Sequence, residues 1–263
     1  MEQALDFHAL KALLEWQVEL GVSEAIGDAP INRYEAVEVV KAPVAVPVGP
    51  GPVVRGPVAV VVGADMVAVA QGLAAGAGDL AGLRAALAGF EGCELKKGAR
   101  NLVFADGNPK ARVMVIGEAP GREEDQRGLP FVGAAGQMLD RMFAAIGLSR
   151  GAAAPGEAIY ITNILPWRPP QNRDPEAGEI AMLMPFVARH VALIDPAVIV
   201  LMGNTPCMGV LGRKGITRMR GEWAEAWGRP VLPMFHPAYL LRNPAAKREA
   251  WADLLALQAR MGR

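Results

Sequence analysis

Four short apolar runs constrain this chain more than any other feature. Each ends in glycine or a polar residue and leads into a stretch with helical spacing. The clearest is Val113-Met114-Val115-Ile116, closed by Gly117. Short apolar runs bounded by turn residues read as strands buried on both faces. Strands are predicted over 112–117, 157–162, 197–203 and 230–235, and helices over 133–147, 177–193, 205–212 and 245–261. Strands separated by helices imply a parallel sheet covered on both sides. In such sheets ligands bind outside the carboxyl ends of the strands. Those ends carry Glu118, Asn163, Gly203-Asn204 and His236, so four loops are expected to meet on one rim.

The rest of the chain divides around this region. Residues 4–22 show helical spacing, with Gly21 as a stop. Residues 42–63, APVAVPVGPGPVVRGPVAVVVG, hold repeated prolines that forbid a central strand or helix. The expected organisation is a helical segment over 1–41, an extended linker over 42–63 and a compact domain over 64–263. Residues 64–89 are rich in Ala and Leu and read as one or two helices.

Charge and cysteine usage narrow the function classes. The formal net charge is zero, but residues 1–90 hold 5 basic and 10 acidic side chains, whereas residues 213–263 hold 10 and 4. A basic C-terminal fifth fits phosphate contact, or else a solvated helical face. Two cysteines, Cys93 and Cys207, make neither a disulfide framework nor a four-ligand metal site. With 3 histidines in the chain, no zinc site is expected. The N-terminus MEQALDFHAL lacks a signal-peptide pattern, and no uninterrupted apolar run reaches a membrane-spanning length. The reading is a soluble, cytoplasmic protein.

The rim residues suggest a chemistry. Gly117-Glu118-Ala119-Pro120-Gly121 places exposed amides and an acid at a strand end, and further acids follow at Glu123, Glu124 and Asp125. Phe131 offers a flat face. Together they suit recognition of a flat polar ring such as a nucleobase. The Asn163 side chain presents one acceptor and two donors, a pattern complementary to the N3–H and O4 of uracil. His236 at a strand end can donate to an oxygen that gains charge. Leu240 and Leu241 beside Arg242 form an apolar tip next to a cation, fit to wedge into a base stack while a phosphate is held. Arg168 and Arg173, in a stiff Pro-rich loop, and Arg220 further on, can reach phosphates.

The segments GEAPGREEDQRGLPFVGAAGQMLD, IYITNILPWRPPQNR and HPAYLLRNP, in that order, resemble the uracil-DNA glycosylase superfamily, most closely family four. The resemblance runs from about Phe90 to the C-terminus. It implies a three-layer α/β/α sandwich with a central four-stranded parallel sheet, and excision of uracil from DNA in base excision repair. It also implies roles. Gly117 to Gly121 would activate water, with Glu118 and Glu124 both candidates for the acid, since Ala119 stands where other families carry aspartate. Phe131 would stack on the flipped base and Asn163 would read its edge. His236 would stabilise the departing oxygen, and Leu240 to Arg242 would probe the duplex.

Family four holds a 4Fe–4S cluster on four cysteines, and here the chain departs from the pattern. The matching positions are Phe90, Cys93, Trp167 and Leu183, and Cys207 falls outside them. Clusters need thiolate ligands, so no cofactor and no metal are expected, and apolar packing is expected to fill the volume. Two other readings stay open. One is a protein that binds or traps uracil-DNA, although covalent members of the superfamily carry a histidine-bearing insertion that Gly121–Phe131 lacks. The other is a non-catalytic scaffold. The expected partner is uracil-containing DNA, met as a monomer, and the N-terminal helix on its Pro-rich tether is read either as recruiting a repair or replication protein or as packing back on the domain.

Overall fold

The computed structural model describes residues 62–262, so the expected helix over 4–22 and nearly all of the linker lie outside the described residues. The linker's last two residues, Val62 and Gly63, already belong to a helix, α1 (Val62–Gly76), which starts slightly ahead of the expected domain boundary. A second helix, α2 (Leu80–Gly89), follows, capped by the Asp79 side chain accepting from the Gly82 N–H. A short turn, α3, spans Leu95–Gly98.

The sheet holds four parallel strands, β2 (Val113–Gly117), β3 (Ile159–Asn163), β4 (Val198–Met202) and β6 (Arg229–Met234). Two short antiparallel strands, β1 (Asp106–Gly107) and β5 (Ala224–Ala226), extend it to six in the order β1-β3-β2-β4-β6-β5. The expected four-stranded sheet is therefore the parallel centre of a six-stranded one. The added strands are two and three residues long, too short to show a period in sequence.

Every residue of β2, β3 and β4 is buried, as a doubly covered sheet requires. Side chains alternate between two cores. Met114, Ile116, Tyr160, Ile199 and Leu201 point into one, with α1, α2 and α6 (Ala177–Ile194). Val113, Val115, Ile159, Ile161, Val200 and Leu232 point into the other, with α5 (Ala134–Ala144) and α10 (Lys247–Arg260). By length and composition alone α6 could cross a bilayer, a candidate missed when only uninterrupted runs are counted. It packs instead on the sheet through Ile180, Leu183, Phe186, Val187 and Val191.

The strand order positions the site. The chain leaves β2 for β3 on one side, then crosses to β4 on the other side of β2. Adjacent strands with diverging connections open a crevice at their carboxyl ends, here between Gly117 and Gly203.

Candidate active site at the carboxyl rim of the sheet

The cleft at this crevice brings together Glu118, Gly121, Phe131, Asn163, His236 and Arg242. Asn163, the last residue of β3, lies opposite Gly117 of β2. Its side chain is buried, and among the described residues Oδ1 has no hydrogen-bond partner. Buried acceptors are almost always satisfied and Asn163 lines the cleft, so this unmet one marks a place for a donor. Gly117 makes room for it. A Cβ there would stand 2.4 Å from Asn163 Oδ1 and 2.5 Å from Phe131 Cε2.

Phe131 is held in an unusual backbone state, with φ at 52°. Arg150 secures it: Nη2 donates to the Phe131 carbonyl at 2.9 Å, and Nη1 donates to the Pro130 carbonyl at 2.9 Å. The same guanidinium is braced by Asp140 and Asp106. Gly136, inside α5, permits the turn, because a Cβ there would lie 1.8 Å from the Phe131 carbonyl oxygen. The Phe131 and His236 rings face each other at 5.5 Å between centroids.

His236 caps a short helix, α9 (Pro237–Arg242), and its Nδ1 accepts from the Ala238 N–H at 3.2 Å. That bond leaves the ring proton on Nε2. Burial, with Arg242 adding to it and Glu124 opposing it, lowers the pKa to about 4, so the ring is neutral at neutral pH.

The two candidate acids differ. Glu118 accepts from the Thr205 hydroxyl at 2.6 Å through Oε2. Thr205 sits in the first turn of α7 (Asn204–Leu211), across the crevice. Glu124 lies in α4 (Arg122–Arg127), and both of its oxygens are engaged by main chain. Oε1 accepts from the Val132 and Gly133 N–H groups, each at 2.9 Å, and Oε2 accepts from the Gly121 N–H at 3.1 Å. Glu124 thus ties the Gly117–Gly121 loop to the Phe131 loop. Both Glu124 oxygens are thus taken up by backbone amides, whereas Glu118 gives one oxygen to Thr205.

Three of the expected DNA contacts are engaged within the fold. Leu240 is fully buried and Leu241 is 44% exposed, because the turn of α9 faces one inward and the other out. The exposed tip is Leu241 next to the exposed Arg242. Arg220 is paired with buried Asp253 and also donates to the Glu249 carbonyl, so it fastens α10 to the sheet's edge. Arg173 grips Glu179 with two hydrogen bonds, tying its loop to the start of α6. Arg168 is lightly held, by Asn172 Oδ1 at 2.8 Å.

The positions matching cluster ligands share one apolar core. Phe90, Cys93, Trp167 and Leu183 are all buried in it, and the Phe90 and Phe186 rings pack at 5.4 Å. One thiol with a phenyl, an indole and an isobutyl group does not make a donor set for four irons. Burial raises the Cys93 pKa, against thiolate formation. Cys207 is likewise buried and pushed up to about 12. Among the described residues no three His, Cys, Asp or Glu side chains cluster to hold a metal.

Arg150 and Thr205 are parts of the site that sequence reading missed, and Asn204, expected on the rim, was given no role there. Thr205 and Asn204 follow a recognised strand end. Arg150 carries no local signal, since Asp106 and Phe131 are 44 and 19 residues away from it.

Comparisons with known proteins point to one family. A family model described as the uracil DNA glycosylase superfamily matches residues 104–255. A type-4 uracil-DNA glycosylase of Archaeoglobus fulgidus is 40% identical over 170 residues, 61% of this chain and 82% of that protein. One from Sulfurisphaera tokodaii is 38% identical over 167 residues, 59% and 73% of the two chains. One from Thermotoga maritima is 40% identical over 156 residues, 57% and 77%.

Proposed function

The chain belongs to the uracil-DNA glycosylase superfamily, and from that premise we propose how its cleft works. The protein is a monofunctional uracil-DNA glycosylase: it hydrolyses the N-glycosidic bond of uracil in DNA and leaves an abasic site. The observation that carries our account of the site is the unmet Oδ1 of Asn163. It accepts from uracil N3–H while Nδ2 donates to O4. Cytosine presents an acceptor at N3 and an amine at C4, which leaves the held amide mispaired at a cost of about 1–3 kcal/mol per buried group.

Uracil is unreachable inside the stack, so the nucleotide is flipped out at a cost of a few kcal/mol. Leu241 fills the gap, Arg242 holds a phosphate and Phe131 stacks on the everted ring. As the glycosidic bond stretches, negative charge gathers on uracil O2 and positive charge on the sugar. The neutral His236 donates Nε2–H to O2, and a preorganised donor of this kind is worth about 3–4 kcal/mol. Glu118 takes the proton from the attacking water. Thr205 occupies one of its oxygens, which fixes the carboxylate and leaves the other for water.

The apolar packing around Cys93 supports a fold held without an iron–sulfur cluster, and no step above needs one. The finer partner reading is also ours: the chain acts as a monomer, and residues 1–41 recruit a repair or replication protein on the Pro-rich tether 42–63. The cytoplasmic assignment belongs to the same proposal and rests on the substrate.

The test is release of free uracil from a uracil-containing oligonucleotide, with Asn163→Asp and His236→Ala variants alongside. Asn163→Asp is expected to blunt discrimination against cytosine. His236→Ala is expected to slow cleavage far more than binding. If both behave as the unaltered protein does, the site is misassigned.

A further inference from the structure

The basic stretch after α7 has a place at the rim that the scheme above leaves unused. Gly212 ends α7 with φ at 66°, and Gly215 precedes α8 (Ile216–Met219) with φ at 108°. Between them stand Arg213 and Lys214, both exposed. Among the described residues neither side chain has an ion-pair or hydrogen-bond partner. This differs from Arg173 and Arg220, whose guanidinium groups are spent on Glu179 and Asp253.

The loop is nonetheless held in place. Asn204 Oδ1 accepts from the Gly215 N–H at 3.0 Å and from the Ile216 N–H at 2.9 Å. Asn204 directly follows Gly203 at the end of β4, so one side chain pins the loop to the crevice itself. Lys214 lines the same cleft as His236 and Arg242. Two unpaired cations on a pinned loop beside a cleft that takes DNA have one matching chemistry, a run of phosphates.

We infer that Arg213 and Lys214 form a second phosphate grip, holding the DNA strand beside the flipped nucleotide while Arg242 holds it at another point of the rim. The inference rests on the glycosylase reading. Because the loop is tethered before DNA arrives, little ordering entropy is lost on contact. The contact is to backbone, so it adds affinity at any sequence and leaves base choice to Asn163.

The test is fluorescence anisotropy with a single-stranded oligonucleotide carrying one 2′-fluoro-2′-deoxyuridine, whose glycosidic bond resists cleavage. Binding is measured across a salt series for the full chain and for Arg213→Ala, Lys214→Ala and the double variant. Each lost phosphate contact is expected to reduce the slope of log K against log salt by about 0.7. Arg173→Ala, whose cation is already paired, is expected to change the slope less. Inhibition by free uracil should not move in the loop variants. An unchanged slope in the double variant overturns the inference. Because the readout needs no turnover, it is separate from uracil release, whose absence would sink the glycosylase reading instead.

Discussion

Gly117 and Asn163 stand opposite each other on neighbouring strands, and the missing side chain of the first is the space that the amide of the second occupies. The atoms that a Cβ at 117 would strike are the ends of two side chains, Asn163 and Phe131, and not backbone. Gly117→Ala should therefore spare the fold and rearrange the pocket. Uracil release is expected to fall about a hundredfold, equivalent to about 2.7 kcal/mol, with only a small loss of thermal stability. Circular dichroism melts beside initial rates check both halves.

The acids should separate cleanly. Glu118→Gln is expected to reduce turnover strongly while substrate affinity and melting temperature hold. Glu124→Gln replaces an acceptor of main-chain N–H groups by a donor and should destabilise by about 1–3 kcal/mol. A Glu124→Gln protein that melts like the parent would show that the backbone bonds lost with the replaced oxygen contribute little.

Thr205 acts through Glu118. Thr205→Val is expected to lower kcat with KM little changed, because the carboxylate loses the hydroxyl that fixes it. Thr205→Ser should restore kcat. Equal loss in the Ser and Val variants would point to packing by the methyl group instead.

Acid should weaken the fold through two histidines, buried His190 and half-buried His236. The pKa values of His236 and His190 are lowered to about 4 and about 3, each mainly by burial. His190 is held neutral against the Tyr160 hydroxyl at 2.7 Å. Unfolded histidines bind protons near pH 6.5, and these folded ones do not. The unfolded state therefore gains protons first, and stability is lost as pH falls from about 6.5 towards 4. A melting series over that range, with nitrogen-15 shifts showing His236 as the neutral Nε2–H form at pH 6, tests this.

Iron should be irrelevant. Purified protein is expected to lack the brown colour and near-400 nm absorbance of a cluster, and chelator should alter neither melting temperature nor uracil release. Leu183→Ala, in contrast, should cost about 2–5 kcal/mol as a buried cavity forms. Four irons per chain after anaerobic reconstitution would overturn the cluster-free reading.

The parallel sheet was legible in the sequence because its central strands are short apolar runs that end at glycine or polar residues. Such runs have few other ways to hide both faces. The rim was legible for the same reason: Glu118 directly follows β2, Asn163 is the last residue of β3 and His236 comes two residues after β6. What the sequence by itself could not determine was partnership. Glu118 and Glu124 look equally acidic in the chain, yet one faces a hydroxyl in the cleft and the other is consumed by three amides. Leu240 and Leu241 are neighbours, and only the phase of a six-residue helix decided which is exposed. Among the described residues Arg173 and Arg220 are paired with Glu179 and Asp253, whereas the side chains of Arg213 and Lys214 have no partner. Local pattern dictates where a strand ends, but the partner of a charge comes from chain that is distant in sequence, and only the packed structure supplies it.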